Sequence, residues 1–182
     1  MKWARQIVIG TSLVVVCAAA AVPANAAVIQ FQATDLTDVN AGEDLWMYEY
    51  FVSDVTFGPN QGFSVYFDRA LYSNLQDPPP QVSLDWDIIV LQPDPSLPDP
   101  GIYDALALVN GASISQAFTV TFDWLGTPGS APGAQDFTIN QFADDGSLSS
   151  VVPGRTTPVP EPSTLLLAAP AIALAFRRRA VS

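Results

Sequence analysis

The chain contains no histidine, and its one cysteine, Cys17, lies in an apolar run near the N-terminus. Everything after that run therefore lacks two of the side chains that most often act as nucleophile, general base or metal ligand. It also lacks the means to form a disulfide. The fold must then rest on an ordinary apolar core, which a domain of about 130 residues can supply. Cations are equally scarce. Lysine occurs once, at Lys2, and between Ala27 and Thr157 only Arg69 and Arg155 stand against 17 acids, a net charge of −15. A surface of that sign repels phosphate backbones, which excludes nucleic acid as a partner. No G-x-S-x-G, H-E-x-x-H or P-loop pattern occurs, so the common motif-borne chemistries are missing too. No catalytic residue, metal site or cofactor is assigned.

Both ends carry ordered patterns. Lys2 and Arg5 precede an apolar run from Ile7 to Val22, and Ala24-Asn25-Ala26 follows. A basic start, an apolar middle and small residues at Ala24 and Ala26 are the parts of a secretory signal peptide. Residues 1–26 are read as that signal, a helix in transit, cut by signal peptidase after Ala26 once the export machinery has engaged it. Val14, Val15 and Val16 before Cys17 are too bulky for the approach to a lipoprotein cysteine.

Between these ends the pattern has a period of two. Val82, Leu84, Trp86, Ile88 and Val90 alternate with Ser83, Asp85 and Asp87, and Phe118, Val120, Phe122 and Trp124 alternate with threonine and aspartate. Such alternation marks half-buried strands. Further strands are expected at Val28–Thr34, Leu45–Ser53, Phe63–Phe67, Ala105–Val109 and Phe137–Phe142. The Gly/Pro/Asn-rich stretches between them read as turns, with Pro93–Gly101 a long crossover. The expected fold class is all-β, an antiparallel β-sandwich of Ig-like or jelly-roll-like form. It spans residues 27–152, and a stiff Pro/Gly-rich spacer follows at 153–158.

Three constellations bear on binding. Trp46, Tyr48, Tyr50 and Val52 share one strand face; a row of rings of this kind can stack on sugars, but the core reading is favoured, since the inward face must be large and apolar. Asp94 and Asp99, or Asp144-Asp145-Gly146-Ser147, offer oxygens of the kind calcium takes, although the latter lacks the bidentate glutamate of an EF-hand loop. The many carboxylates also permit a glycosidase pair, but nothing singles one out.

The C-terminus is the most specific segment. Val159-Pro160-Glu161-Pro162-Ser163-Thr164 is followed by twelve uncharged residues, Leu165 to Phe176, and then by Arg177, Arg178 and Arg179. A helix of twelve residues covers about 18 Å, short of the roughly 30 Å hydrocarbon core, so this is a marginal membrane helix. The arginines orient it by remaining in the cytoplasm. In its three-part order the segment resembles the PEP-CTERM sorting signal of Gram-negative bacteria. The resemblance covers residues 159–182. It implies that Pro160, Glu161 and Pro162 are recognised by exosortase, a membrane transpeptidase-like enzyme. It also implies that the chain is tethered to the inner membrane before release to the outer envelope, cell surface or extracellular matrix, with a structural or adhesive role in exopolysaccharide or biofilm. The alternative is a carbohydrate-binding β-sandwich module, assisted by calcium.

Overall fold

The computed structural model describes residues 27–79, 82–94, 96–97 and 99–160. The expected signal segment with Ala24 and Ala26, and the tail with Glu161, Pro162, Arg177, Arg178 and Arg179, lie outside the described residues, as do both expected terminal helices.

The described residues form ten strands and no helix: β1 (Val28–Asp35), β2 (Leu45–Ser53), β3 (Gln61–Phe67), β4 (Tyr72–Gln76), β5 (Trp86–Leu91), β6 (Gly101–Ala107), β7 (Phe118–Trp124), β8 (Asp136–Phe142), β9 (Leu148–Arg155) and β10 (Thr157–Pro158). They build two five-stranded sheets, ordered β10-β1-β2-β7-β4 and β5-β6-β3-β8-β9. All pairings are antiparallel except β1 with β10, which run parallel.

Alternation decides what lies between the sheets. Ile29, Phe31, Tyr48, Tyr50, Phe118, Val120 and Phe122 point inward from the first sheet, and Phe63, Val65, Phe67, Trp86, Tyr103 and Ala105 from the second, all buried. Rings meet edge to face across the interface: Phe118 lies 4.9 Å from Phe63 and 5.0 Å from Trp86, both at 89°. In that geometry the positive edge of one ring meets the negative face of the next, a gain of about 0.5–1.5 kcal/mol per pair beyond area burial. The row Trp46, Tyr48, Tyr50 and Val52 therefore belongs to the core. Tyr48 and Tyr50 are fully enclosed and present no ring face to a sugar.

Four expectations need correction. Leu84 is 94 % exposed, because β5 begins only at Trp86, after a turn in which the Trp86 amide donates to Ser83 O at 3.3 Å. The strand expected at Ala105–Val109 begins four residues earlier, at Gly101, and ends at Ala107, leaving Leu108 and Val109 exposed beyond it. Pro93–Gly101 is no crossover. It joins β5 to its antiparallel neighbour β6 as a long hairpin loop, pinched by a bridge between Asp94 and Asp99.

The fourth correction concerns the spacer. Residues 153–158 are sheet, not linker. β9 pairs with β8 through Thr138↔Pro153, Phe137↔Gly154 and Asp136↔Arg155, and β10 pairs with β1 through Gln30↔Thr157 and Phe31↔Pro158. Gly154 is required where it stands, since a Cβ there would come within 2.3 Å of the Phe137 ring. One continuous segment thus leaves the second sheet and joins the first, stitching one side of the sandwich. The opposite side is bridged by Gln92, whose side-chain amide accepts from Leu75 N at 2.9 Å and donates to Leu75 O at 2.5 Å. A chain ending at Val152 should lose cooperative unfolding in guanidinium, whereas one ending at Pro160 should keep it; equal unfolding midpoints would restore the spacer reading.

Candidate functional site

The C-terminal crossing is held by a buried polar latch. Thr156 is 1 % and Gln135 4 % exposed. Thr156 N donates to Gln135 O, and Gln135 N donates to the Thr156 hydroxyl, both at 2.8 Å. The Tyr50 hydroxyl donates to Gln135 Oε1, which ties the latch to the core of the first sheet. Gln135 Nε2 is buried with no partner among the described residues. Beside the latch, Tyr48 donates its hydroxyl proton to Gly133 O at 2.7 Å, so in the 3.1 Å contact between Tyr48 and Tyr72 the donor is Tyr72. Burial pushes the Tyr48, Tyr50 and Tyr72 hydroxyls above the ordinary tyrosine range. They are neutral hydrogen-bonding groups at any physiological pH.

A cleft of about 400 Å³ opens over this latch, lined among others by Tyr66, Asp68, Tyr72, Gln135, Asp136 and Arg155. Arg155 pairs with Asp136 at 2.8 Å and donates to Ala134 O at 3.1 Å. Both side chains of the pair are more than half exposed. Its contribution to stability is correspondingly small, about 0–1 kcal/mol. What it does is fix the end of β9 against the start of β8, just before the chain turns into the first sheet.

The outer face of the second sheet carries a polar row that crosses three strands. Asn140 Nδ2 on β8 donates to Ser64 Oγ on β3 at 2.7 Å, and Ser64 Oγ donates to Asp104 Oδ1 on β6 at 2.5 Å. Ser64 and Asn140 are both buried. The Ser64 proton is committed to a carboxylate and no imidazole stands nearby, so the row is a structural hydrogen-bond chain and lacks the base of a nucleophilic site. Burial raises the Asp104 pKa, the like charge of Asp87 raises it further, and the Ser64 hydrogen bond opposes both. The row was not visible in the sequence, because it depends on strand register. Each member reads there as one more polar position in a period of two.

The loop aspartates serve their own turns. Asp94 Oδ1 accepts from Ser96 N, Ser96 Oγ and Leu97 N, and Asp145 Oδ1 accepts from Ser147 N and Oγ. Hydrogen bonds from Ser96 and Ser147 hold these two carboxyls below the usual aspartate range. Among the described residues no cluster of three acidic, histidine or cysteine side chains is placed to hold a metal ion. Of the residues expected to carry the sorting motif only Pro160 is described. It is exposed and follows Val159, whose N–H donates to Phe31 O at 2.9 Å.

A raised carboxyl pKa means that the folded protein holds the proton more tightly than the unfolded chain. The stability contributed by Asp104 is therefore complete below the ordinary value of 3.8 and is lost as pH rises through the raised one. Guanidinium midpoints measured from pH 3 upward should fall less steeply for Asp104→Asn than for the wild type; parallel curves would contradict the assignment.

No family model matches the chain, and no curated protein matches it. Among solved structures the chain is similar to a cohesin module from a Clostridium perfringens ATCC13124 family 33 glycoside hydrolase. The identity is 11 % and the TM-score 0.35, over 75 % of this chain and 100 % of that module.

Proposed function

We propose that the protein is an exported, non-catalytic β-sandwich of Ig-like or jelly-roll-like type, sorted by exosortase through a PEP-CTERM signal at residues 159–182. Its role is structural or adhesive, in the exopolysaccharide or biofilm matrix outside the cell. The observation that carries the reading is the three-part order of the tail, Pro160-Glu161-Pro162, then Leu165 to Phe176, then Arg177 to Arg179, on a chain that begins with a signal-peptide pattern.

The geometry at Pro160 supports it. Pro160 is exposed and directly follows Val159, whose N–H donates to Phe31 O at 2.9 Å, so the first residue of the motif stands at the solvent-facing edge of the first sheet. The fixed φ of the two prolines flanking Glu161 reduces the entropy lost on binding, and the one carboxylate gives a receptor a specific charge. The alternative of a carbohydrate-binding module loses the aromatic row that suggested it, since Tyr48 and Tyr50 are enclosed.

Intact mass and cell fractionation of the native protein test the reading against Glu161→Ala. The wild type should lose both ends and leave the inner membrane, while the variant keeps its apolar tail and stays there. Retention of the tail by both would make the segment a plain anchor and sink the sorting role.

A further inference from the structure

A two-sheet sandwich has four edge strands, and each exposes a row of N–H and C=O groups able to pair with another chain. Three of the four are blunted here. β10 is two residues long and contains Pro158. β4 shifts register between Ser73 and Gln76, has Asn74 at φ 53°, and has the N–H and C=O of Leu75 capped by Gln92. β9 is blocked by Pro153. The Thr156 N to Gln135 O bond sets the alternation along the β8/β9 ladder, and it turns the backbone groups of Val151, Pro153 and Arg155 outward. The missing N–H of Pro153 therefore falls in the middle of the open side.

β5 has no such protection. The Leu108 N to Asp85 O bond is in register with Trp86↔Ala107, so Asp87, Ile89 and Leu91 bond to β6 while Ile88 and Val90 aim their N–H and C=O groups away from the sheet. No hydrogen bond among the described residues takes up those four groups. The strand contains no proline, glycine or lysine, and Ile89 and Leu91 are 47 % and 51 % exposed on its outer face.

We infer that the β5 edge pairs, antiparallel, with β5 of a second copy of this chain across a two-fold axis at Ile89, joining two five-stranded sheets into one of ten. Ile88 of each copy exchanges both backbone hydrogen bonds with Val90 of the other, four bonds in all. Ile89 faces Ile89 of the second copy, and Asp87 faces Leu91. Charge selects this partner and register. On a domain with 17 acids most self-contacts set carboxylate against carboxylate. In this pairing, the one acid of β5 lies opposite an apolar side chain at both ends. A shift of two residues toward the N-terminus would instead place Asp87 against Asp87, where like charges destabilise.

In this register the two Ile89 Cα atoms form a non-hydrogen-bonded pair about 4.5 Å apart, within disulfide reach. The full-length chain, with Cys17→Ser to remove its own thiol, is purified and oxidised in solution, so that the outcome does not depend on export. Ile89→Cys should give a disulfide-linked dimer on a non-reducing gel, and Val151→Cys on the blocked β9 edge should remain monomeric. Adding Leu91→Asp to Ile89→Cys sets a carboxylate against Asp87 of the second copy and should cut dimer yield several-fold, whereas Leu91→Lys should preserve it. Position 91 is exposed, so neither change disturbs the core. No dimer from Ile89→Cys, equal dimer from Val151→Cys, or equal yields for the two Leu91 variants would each overturn the pairing.

Discussion

The paired hydrogen bonds between Gln135 and Thr156 hold the sandwich shut along one side, and much else depends on them. They sit where the chain passes from the second sheet to the first, at a point buried enough that neither residue can turn to water. Leaving one of these buried groups without its partner would cost about 1–3 kcal/mol, a sizeable share of a domain's net stability. The latch also sets the ladder alternation of β9, and so it decides that Pro153 lacks its N–H on the solvent side rather than in the sheet. It delivers β10 to β1 in parallel. Closure of this side and protection of the β9 edge both follow from one pair of residues.

Strands that alternate cleanly were legible in the sequence. Leu45–Ser53 and Phe118–Trp124 are bounded as their aromatic periodicity requires, because each has one face in the core and one outside. β4 was hidden. Its bulge and the left-handed Asn74 break the period of two within five residues. β9 was hidden for another reason: as an edge strand nearly all of it is exposed, so burial imposes no alternation, and Pro153 and Gly154 read as spacer. Leu84 continued the alternation of β5 in sequence only, since the chain turns before it reaches the sheet.

The candidate site divides along the same line. The resemblance carried by the tail is readable because it lies in linear order, a motif, an apolar run and a charge cluster, and needs no fold to be noticed. The latch and the chain from Asn140 through Ser64 to Asp104 join residues between 21 and 76 positions apart, and only register brings them together. The aromatic row was legible as a large apolar face, and the core was the side it favoured. Burial placed it inside, where Tyr48 and Tyr50 anchor the latch and its neighbouring loop rather than a ligand.

The domain is held together by its C-terminal segment through Val159, whose N–H donates to Phe31 O. Amide hydrogen exchange at Thr156 tests this most directly. Protection matching that of the β8 amides is the predicted result, because Thr156 N bonds to Gln135 O in a closed latch. Exchange at the rate of a free peptide would mean that the segment after Val152 is a spacer, and the latch and the parallel β10 would fall together.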